Sequence, residues 1–240
     1  MRVSRTGIIF DGDDTLWETQ PLYERSKERF LGVMELQGFD PYEAKQRFDA
    51  IEINNARLLG FSKLRFPKSM SDTYRTLCQS HNKAVDESVG SIVESIGKSA
   101  YADSPRLFEG VREVLEKLRA RNLCLILATK GDYDVQEQKI SVSGLRRYFQ
   151  HEYILALKDE SELTRIAKET NLDIRESWSI GNSIRSDINP ALRVGMKAIW
   201  IPNRAWDFED EKLITSDRVF KVDTIKDVAD FIIVQLGVRA

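Results

Sequence analysis

The chain has 240 residues, 42% of them apolar, enough to bury a full core and to exclude a disordered polymer. Its 36 basic and 38 acidic residues are mixed along the whole length, so no basic block offers a footprint for nucleic acid. With two cysteines and no apolar run near the eighteen or so residues needed to span a bilayer, the reading is a soluble, cytoplasmic protein with no membrane partner.

The first element is a short apolar strand, residues 7–10, which runs straight into Asp11, Gly12, Asp13 and Asp14. Acids crowded in this way repel unless something positive sits among them. From Pro21 to about Ala102 the pattern is mostly helical, with Leu22, Phe30 and Met34 in one stretch, residues 42–59 and 86–96 in others, and breaks at residues 38–41, 60–67 and 80–82. Further short β-rich runs follow at residues 123–128, 153–157, 178–181, 198–201 and 219–222. Helical spacing separates or follows them: Val111, Val114, Leu115 and Leu118; Leu163, Ile166 and Ala167; and Val228, Phe231, Ile232 and Leu236.

Continuous apolar strands alternating with helices predict a doubly wound α/β fold, a parallel sheet with helices on both faces. The interval from residue 11 to residue 122 is too long for an ordinary crossover and carries no comparable strand run. It predicts an inserted all-helical domain at residues 19–102, with the core domain formed by residues 1–18 and 103–240.

In open α/β sheets ligands bind beyond the carboxyl ends of the strands, so the residues following each strand are the candidates. These are Asp11 and Asp13 after the first, Thr129 and Lys130 after the second, Lys158 after the third, and Asn182 and Asp187 after the fourth. If the chain stays extended, Asp11 and Asp13 project to one side, about 6–7 Å apart. A phosphoryl group between them would meet one carboxylate as nucleophile and the other as proton donor, with Lys158 and the Thr129 hydroxyl on its other oxygens. The hard oxygen donors favour Mg2+ as the accompanying cation.

This arrangement resembles the haloacid dehalogenase (HAD) superfamily, in particular its phosphatase branch. The family's Asp-x-Asp-x-Thr motif is matched by Asp11, Asp13 and Thr15; its strand-terminal Thr or Ser by Thr129; its Lys by Lys158. The Gly-Asp-x-x-x-x-Asp motif is matched in part by GNSIRSD, where Asn182 stands in place of the first acid and Asp187 keeps the second. The resemblance implies a Rossmann-like core, a helical C1-type cap and a phosphohydrolase that works through an aspartyl-phosphate on a small phosphorylated substrate. It implies Asp11 as nucleophile and metal ligand, Asp13 as general acid and base with its main-chain carbonyl on the metal, and Thr129, Lys130 and Lys158 on the phosphoryl group. Asn182 and Asp187 complete the metal positions.

A calcium loop would need Gly and Glu where the chain has Leu16 and Leu22, and a receiver domain is about half this length. A dehalogenase has no need of the acid at Asp13, whereas a phosphomutase would share the whole site. Asn182 motivates a different class, a binding or regulatory protein with weak turnover, because an amide oxygen brings no negative charge to a metal. Arg57, Lys63, Arg65 and Lys68 around the break at residues 60–67 read as ordinary solvated charges, or else as a loop reaching an anionic leaving group. Trp17, Glu18 and Arg204 are candidates for the site wall, Asp14 has no assigned role, and the oligomeric state, monomer or homodimer, is left open.

Overall fold

The computed structural model describes residues 5–102, 104–203 and 211–237, so Arg204 lies outside the described residues. The chain divides into two compact units, one made of Met1–Thr19 with Pro105–Ala240 and the other of Gln20–Ser104.

In the first unit β1 (Gly7–Phe10), β4 (Cys124–Lys130), β5 (His151–Leu155), β6 (Trp178–Gly181), β7 (Lys197–Trp200) and β8 (Val219–Lys221) form one parallel sheet, ordered β5-β4-β1-β6-β7-β8. Every strand expected from the apolar runs is present. Several boundaries shift by a residue or two, and one shift bears on the site. β4 continues through Thr129 and Lys130, which pair with Ile154 and Leu155, and β5 therefore ends at Leu155. Leu157, expected inside that strand, is 64% exposed in the turn that follows.

Alternate strand residues serve opposite faces of the sheet. Ile8, Phe10, Leu125, Leu127 and Ile180 pack with α5 (Val111–Arg119) and α9 (Lys226–Gln235). Ile9, Ile126, Ala128 and Ala198 pack with α7 (Glu160–Glu169) and α8 (Asn189–Arg193) on the other side. After β1 the chain builds β4 and β5 on one flank, then returns to place β6 on the other. That reversal opens a crevice beyond the carboxyl ends of β1, β4 and β6, where the candidate residues stand. A two-residue antiparallel pair, β2 (Trp17–Glu18) with β3 (Arg106–Leu107), is too short to leave a sequence pattern.

The second unit holds α1 (Gln20–Leu36), α2 (Pro41–Leu59), α3 (Arg65–Ser80) and α4 (Glu87–Ser99) around Phe30, Met34, Phe48, Phe66, Met70, Leu77 and Val93. Asp40 caps α2 by accepting from the Glu43 N–H, and Asp86 caps α4 by accepting from Ser88. The expected break around residues 60–67 is shorter than the sequence implied. α3 starts at Arg65, because Pro67 falls in its first turn, where a missing N–H leaves no helical hydrogen bond unmade. Arg65 is correspondingly neither solvated nor part of a reaching loop: it is buried, and its Nε lies 2.9 Å from Glu52 Oε1. Lys68 pairs along the helix with Asp72. Removing one partner of a buried ion pair strands the other charge, so Glu52→Ala should cost about 3 kcal/mol in urea unfolding. Removing the exposed Lys98, paired with Glu94 one turn away, should cost under about 0.5 kcal/mol.

Candidate active site

The segment after β1 is not extended. The Asp11 N–H continues the ladder by donating to Ile180 O, and the chain then closes a tight turn in which the Leu16 N–H donates to Gly12 O and the Asp14 N–H to Trp17 O. Asp14 takes a left-handed conformation at φ 57°. Its carboxylate accepts from the Thr19 N–H (2.8 Å) and the Thr19 hydroxyl (2.7 Å), so this third acid ties the turn together. Gly12 is required by proximity, since a Cβ there would stand 2.5 Å from the Trp17 ring. The turn sends the two remaining acids to different partners.

Asp11 faces Lys158. That lysine, almost fully buried just before the N-cap of α7, donates to Asp11 Oδ1 and to Asp187 Oδ1, each at 2.6 Å. Asp187 sits in a five-residue π-helix, Ile184–Ile188, and its Oδ2 accepts from the Ser183 N–H at 2.9 Å. Such π turns are rare and occur frequently at functional sites. Gly181 makes room for it, because a Cβ at that position would lie 2.1 Å from Asp187 Oδ2. The Thr15 hydroxyl donates to Asp11 Oδ2 at 3.0 Å and lies 3.5 Å from Asn182 Oδ1. The Asn182 carbonyl accepts from Trp200 Nε1. Lys130, at the end of β4, donates to Ser186 at 2.8 Å.

Asp13 faces α6 (Tyr133–Ser143) instead. Lys139 Nζ reaches both of its oxygens, at 2.9 and 2.7 Å; Gln136 Nε2 donates to Oδ2 at 3.0 Å, and Trp17 Nε1 to Oδ1 at 2.6 Å. Thr129 joins the same network by donating to Gln136 Oε1 at 3.2 Å. Sequence reasoning missed Gln136 and Lys139. They sit three residues apart on one helical face that is buried although polar, so α6 shows no apolar stripe to mark it.

The two acids also differ electrostatically. Burial pushes the Asp11 carboxyl up, Lys158 opposes this, and Asp187 and Asp13 add repulsion, leaving it raised from 3.8 to about 7. Burial would raise Asp13 too, but the Lys139 charge and the donated hydrogen bonds outweigh it and hold that carboxyl below its ordinary value. Lys158 is held above the usual lysine range: burial alone would lower it, and its two carboxylates reverse that. Among the described residues no three His, Cys, Asp or Glu side chains form a metal-ligating group. No helix among them is long and apolar enough to cross a membrane.

The fold and this constellation define a class. A family profile for haloacid dehalogenase-like hydrolases matches residues 6–195, and the chain belongs to that family. It is 29% identical over 199 residues, 80% of this chain and 79% of its relative, to glyceraldehyde 3-phosphate phosphatase of Pyrococcus abyssi. A haloacid dehalogenase-like hydrolase of Xanthomonas campestris has the same architecture, at 25% identity and TM-score 0.79 over 98% of this chain and 99% of that one. A HAD hydrolase of Bacillus subtilis, crystallised with magnesium, is 16% identical and superposes at TM-score 0.65 over 96% and 99%.

The raised Asp11 makes a stability prediction. The folded state holds this proton more tightly than the unfolded chain, so stability falls as pH rises from about 4 towards about 7, and the full loss persists above that. In chelator-treated protein, Asp11→Asn should therefore raise the thermal midpoint at pH 8 and raise it less at pH 5. A midpoint below wild type at pH 8 would show that the Lys158 contact outweighs the burial of charge.

Proposed function

We propose that this chain is a magnesium-dependent phosphatase acting on a small phosphorylated metabolite through an aspartyl-phosphate. One observation carries the reading: Asp11, Thr129, Lys158 and Asp187 stand in one crevice with a second, separately held acid, Asp13, beside Asp11. In the first step an Asp11 carboxylate oxygen attacks phosphorus, the ester P–O bond breaks, and the departing oxygen takes the proton that Asp13, held as its anion by Lys139 in the free site, has to carry in the substrate complex. In the second, Asp13 accepts a proton from water as that water attacks the same phosphorus, which frees inorganic phosphate and restores Asp11. Lys158, Thr129 and Lys130 hold the phosphoryl oxygens.

The donor set fits magnesium. Asp11 and Asp187 are two buried carboxylates sharing a single ammonium, so the pocket is short of positive charge, and its remaining donors are hard oxygens. Asp11, the Asp13 carbonyl and Asn182 would hold the ion, with Asp187 behind them. Bound there, the cation supplies the charge that keeps Asp11 ionised and offsets the phosphoryl oxygens. A second acid beside the nucleophile favours attack at phosphorus over carbon, and the intact nucleophile, acid, Thr and Lys favour turnover over a purely regulatory role.

Purified protein should hydrolyse an aryl phosphate in magnesium, and Asp11→Asn should abolish this while circular dichroism stays native. A wild type inert towards a broad panel of phosphate esters at high magnesium would overturn the enzyme reading. Asn182→Asp should lower the magnesium concentration giving half-maximal rate, since it adds a negative charge to the donor set; an unmoved midpoint would remove Asn182 from the ligand set.

A further inference from the structure

The role given to Asp13 is to donate a proton to the leaving oxygen, yet nothing in the motif around it explains what aims its carboxylate. The turn from Gly12 to Trp17 turns it away from Lys158, and its side chain is still 29% exposed. On its inner side stands Lys139, whose own side chain is 8% exposed and whose ammonium contacts both Asp13 oxygens. Lys139 has no part in the attack on phosphorus as described, and burying a lysine without function is costly, since several kcal/mol of hydration are lost per ion. Gln136 supports the same carboxylate while also bonding the Lys130 carbonyl and the Thr129 hydroxyl, so the α6 face is registered against the end of β4. Trp17 closes the other edge.

We propose that Lys139 is a positioning residue for proton transfer: with Gln136 and Trp17 it fixes the direction of the Asp13 carboxylate, and so governs how well the protein turns over esters whose leaving group needs a proton. This rests on the phosphatase reading and adds a residue to it. Three donors from two elements, β2 and α6, converge on two oxygens, so the Asp13 side chain has one orientation that satisfies all of them. Removing Lys139 frees the carboxylate to rotate into water; it also removes the charge that holds the carboxyl low, so a gain on the alkyl ester would mark Lys139 as a counter-charge and not a positioning residue. Loss of orientation at a proton-transferring group lowers the rate of the step that needs the proton and spares the step that does not.

That distinction supplies the test. For kcat/KM only steps through leaving-group departure count, so later attack by water does not enter. An aryl phosphate departs as a stable phenolate with little need of Asp13, while an alkyl phosphate needs its proton. Both are measured for wild type, Asp13→Asn, Lys139→Met and Lys139→Arg, in saturating magnesium, with thermal midpoints recorded. Wild-type turnover of the aryl ester comes first, because its absence would defeat the phosphatase reading itself. Given that turnover, Asp13→Asn sets the ratio expected when the acid is lost. Lys139→Met should move the alkyl-to-aryl ratio of kcat/KM in the same direction, down by about tenfold or more, and Lys139→Arg should recover part of it. Equal losses on both esters, or a ratio that rises or stays put, would overturn the proposal and leave Lys139 a structural counter-charge. If Lys139→Met fails to fold, Gln136→Leu is read by the same ratio.

Discussion

One ammonium group holds two buried carboxylates: Lys158 bridges Asp11 and Asp187 at 2.6 Å to each. These three residues come from the ends of three different segments, after β1, before α7 and after β6. Burying such charges costs several kcal/mol each, and only close mutual contact offsets it. Burial pushes Asp11 upward and repulsion from Asp187 adds to it; one positive charge between two negative ones also leaves the pocket negative, a place where an additional cation is welcome. The glycine at 181 is part of the same constraint, since any side chain there would displace Asp187.

Sheet topology makes that bridge possible. β1 lies in the middle of the sheet, and the order of strand addition reverses across it, so loops from both flanks converge on its carboxyl end. The parallel register carries Phe10 level with Leu127 and Ile180, which brings Asp11 beside the end of β6 and Thr129 beside the turn at Gly12. The apolar core beneath is divided into two layers by strict alternation of the strand residues. Together these layers give the crevice a rigid floor.

Asp11 and Asp13 are two residues apart and chemically unlike. Asp11 is enclosed with a shared lysine and a threonine hydroxyl; Asp13 has a lysine of its own, an amide and an indole. The shifts themselves run opposite to the proposed tasks, Asp11 raised and Asp13 lowered, so on the proposed reading a bound cation has to ionise Asp11 for attack and Asp13 has to take up its proton in the substrate complex. Asn182 stays within the same small network at the end of β6, its main-chain carbonyl accepting from Trp200 Nε1 and its side-chain oxygen 3.5 Å from the Thr15 hydroxyl.

Much of this was legible in the sequence. All six strands of the parallel sheet, the helical insertion and the spacing of Asp11, Asp13, Thr129, Lys158 and Asp187 could be read from apolar runs and the residues that end them, because a buried strand must be apolar along its length and a crevice must lie where such strands stop. The fold class was therefore decided by local composition. What only the tertiary structure decided lies where polar groups are buried. Arg65 looked solvated and is paired with Glu52; Asp14 looked idle and ties a left-handed turn; Gln136 and Lys139 sat in an unmarked helix and turn out to hold Asp13. A charged residue carries no sign of its burial, since its neutralising partner is brought from a distant part of the chain: 126 residues separate Lys139 from Asp13.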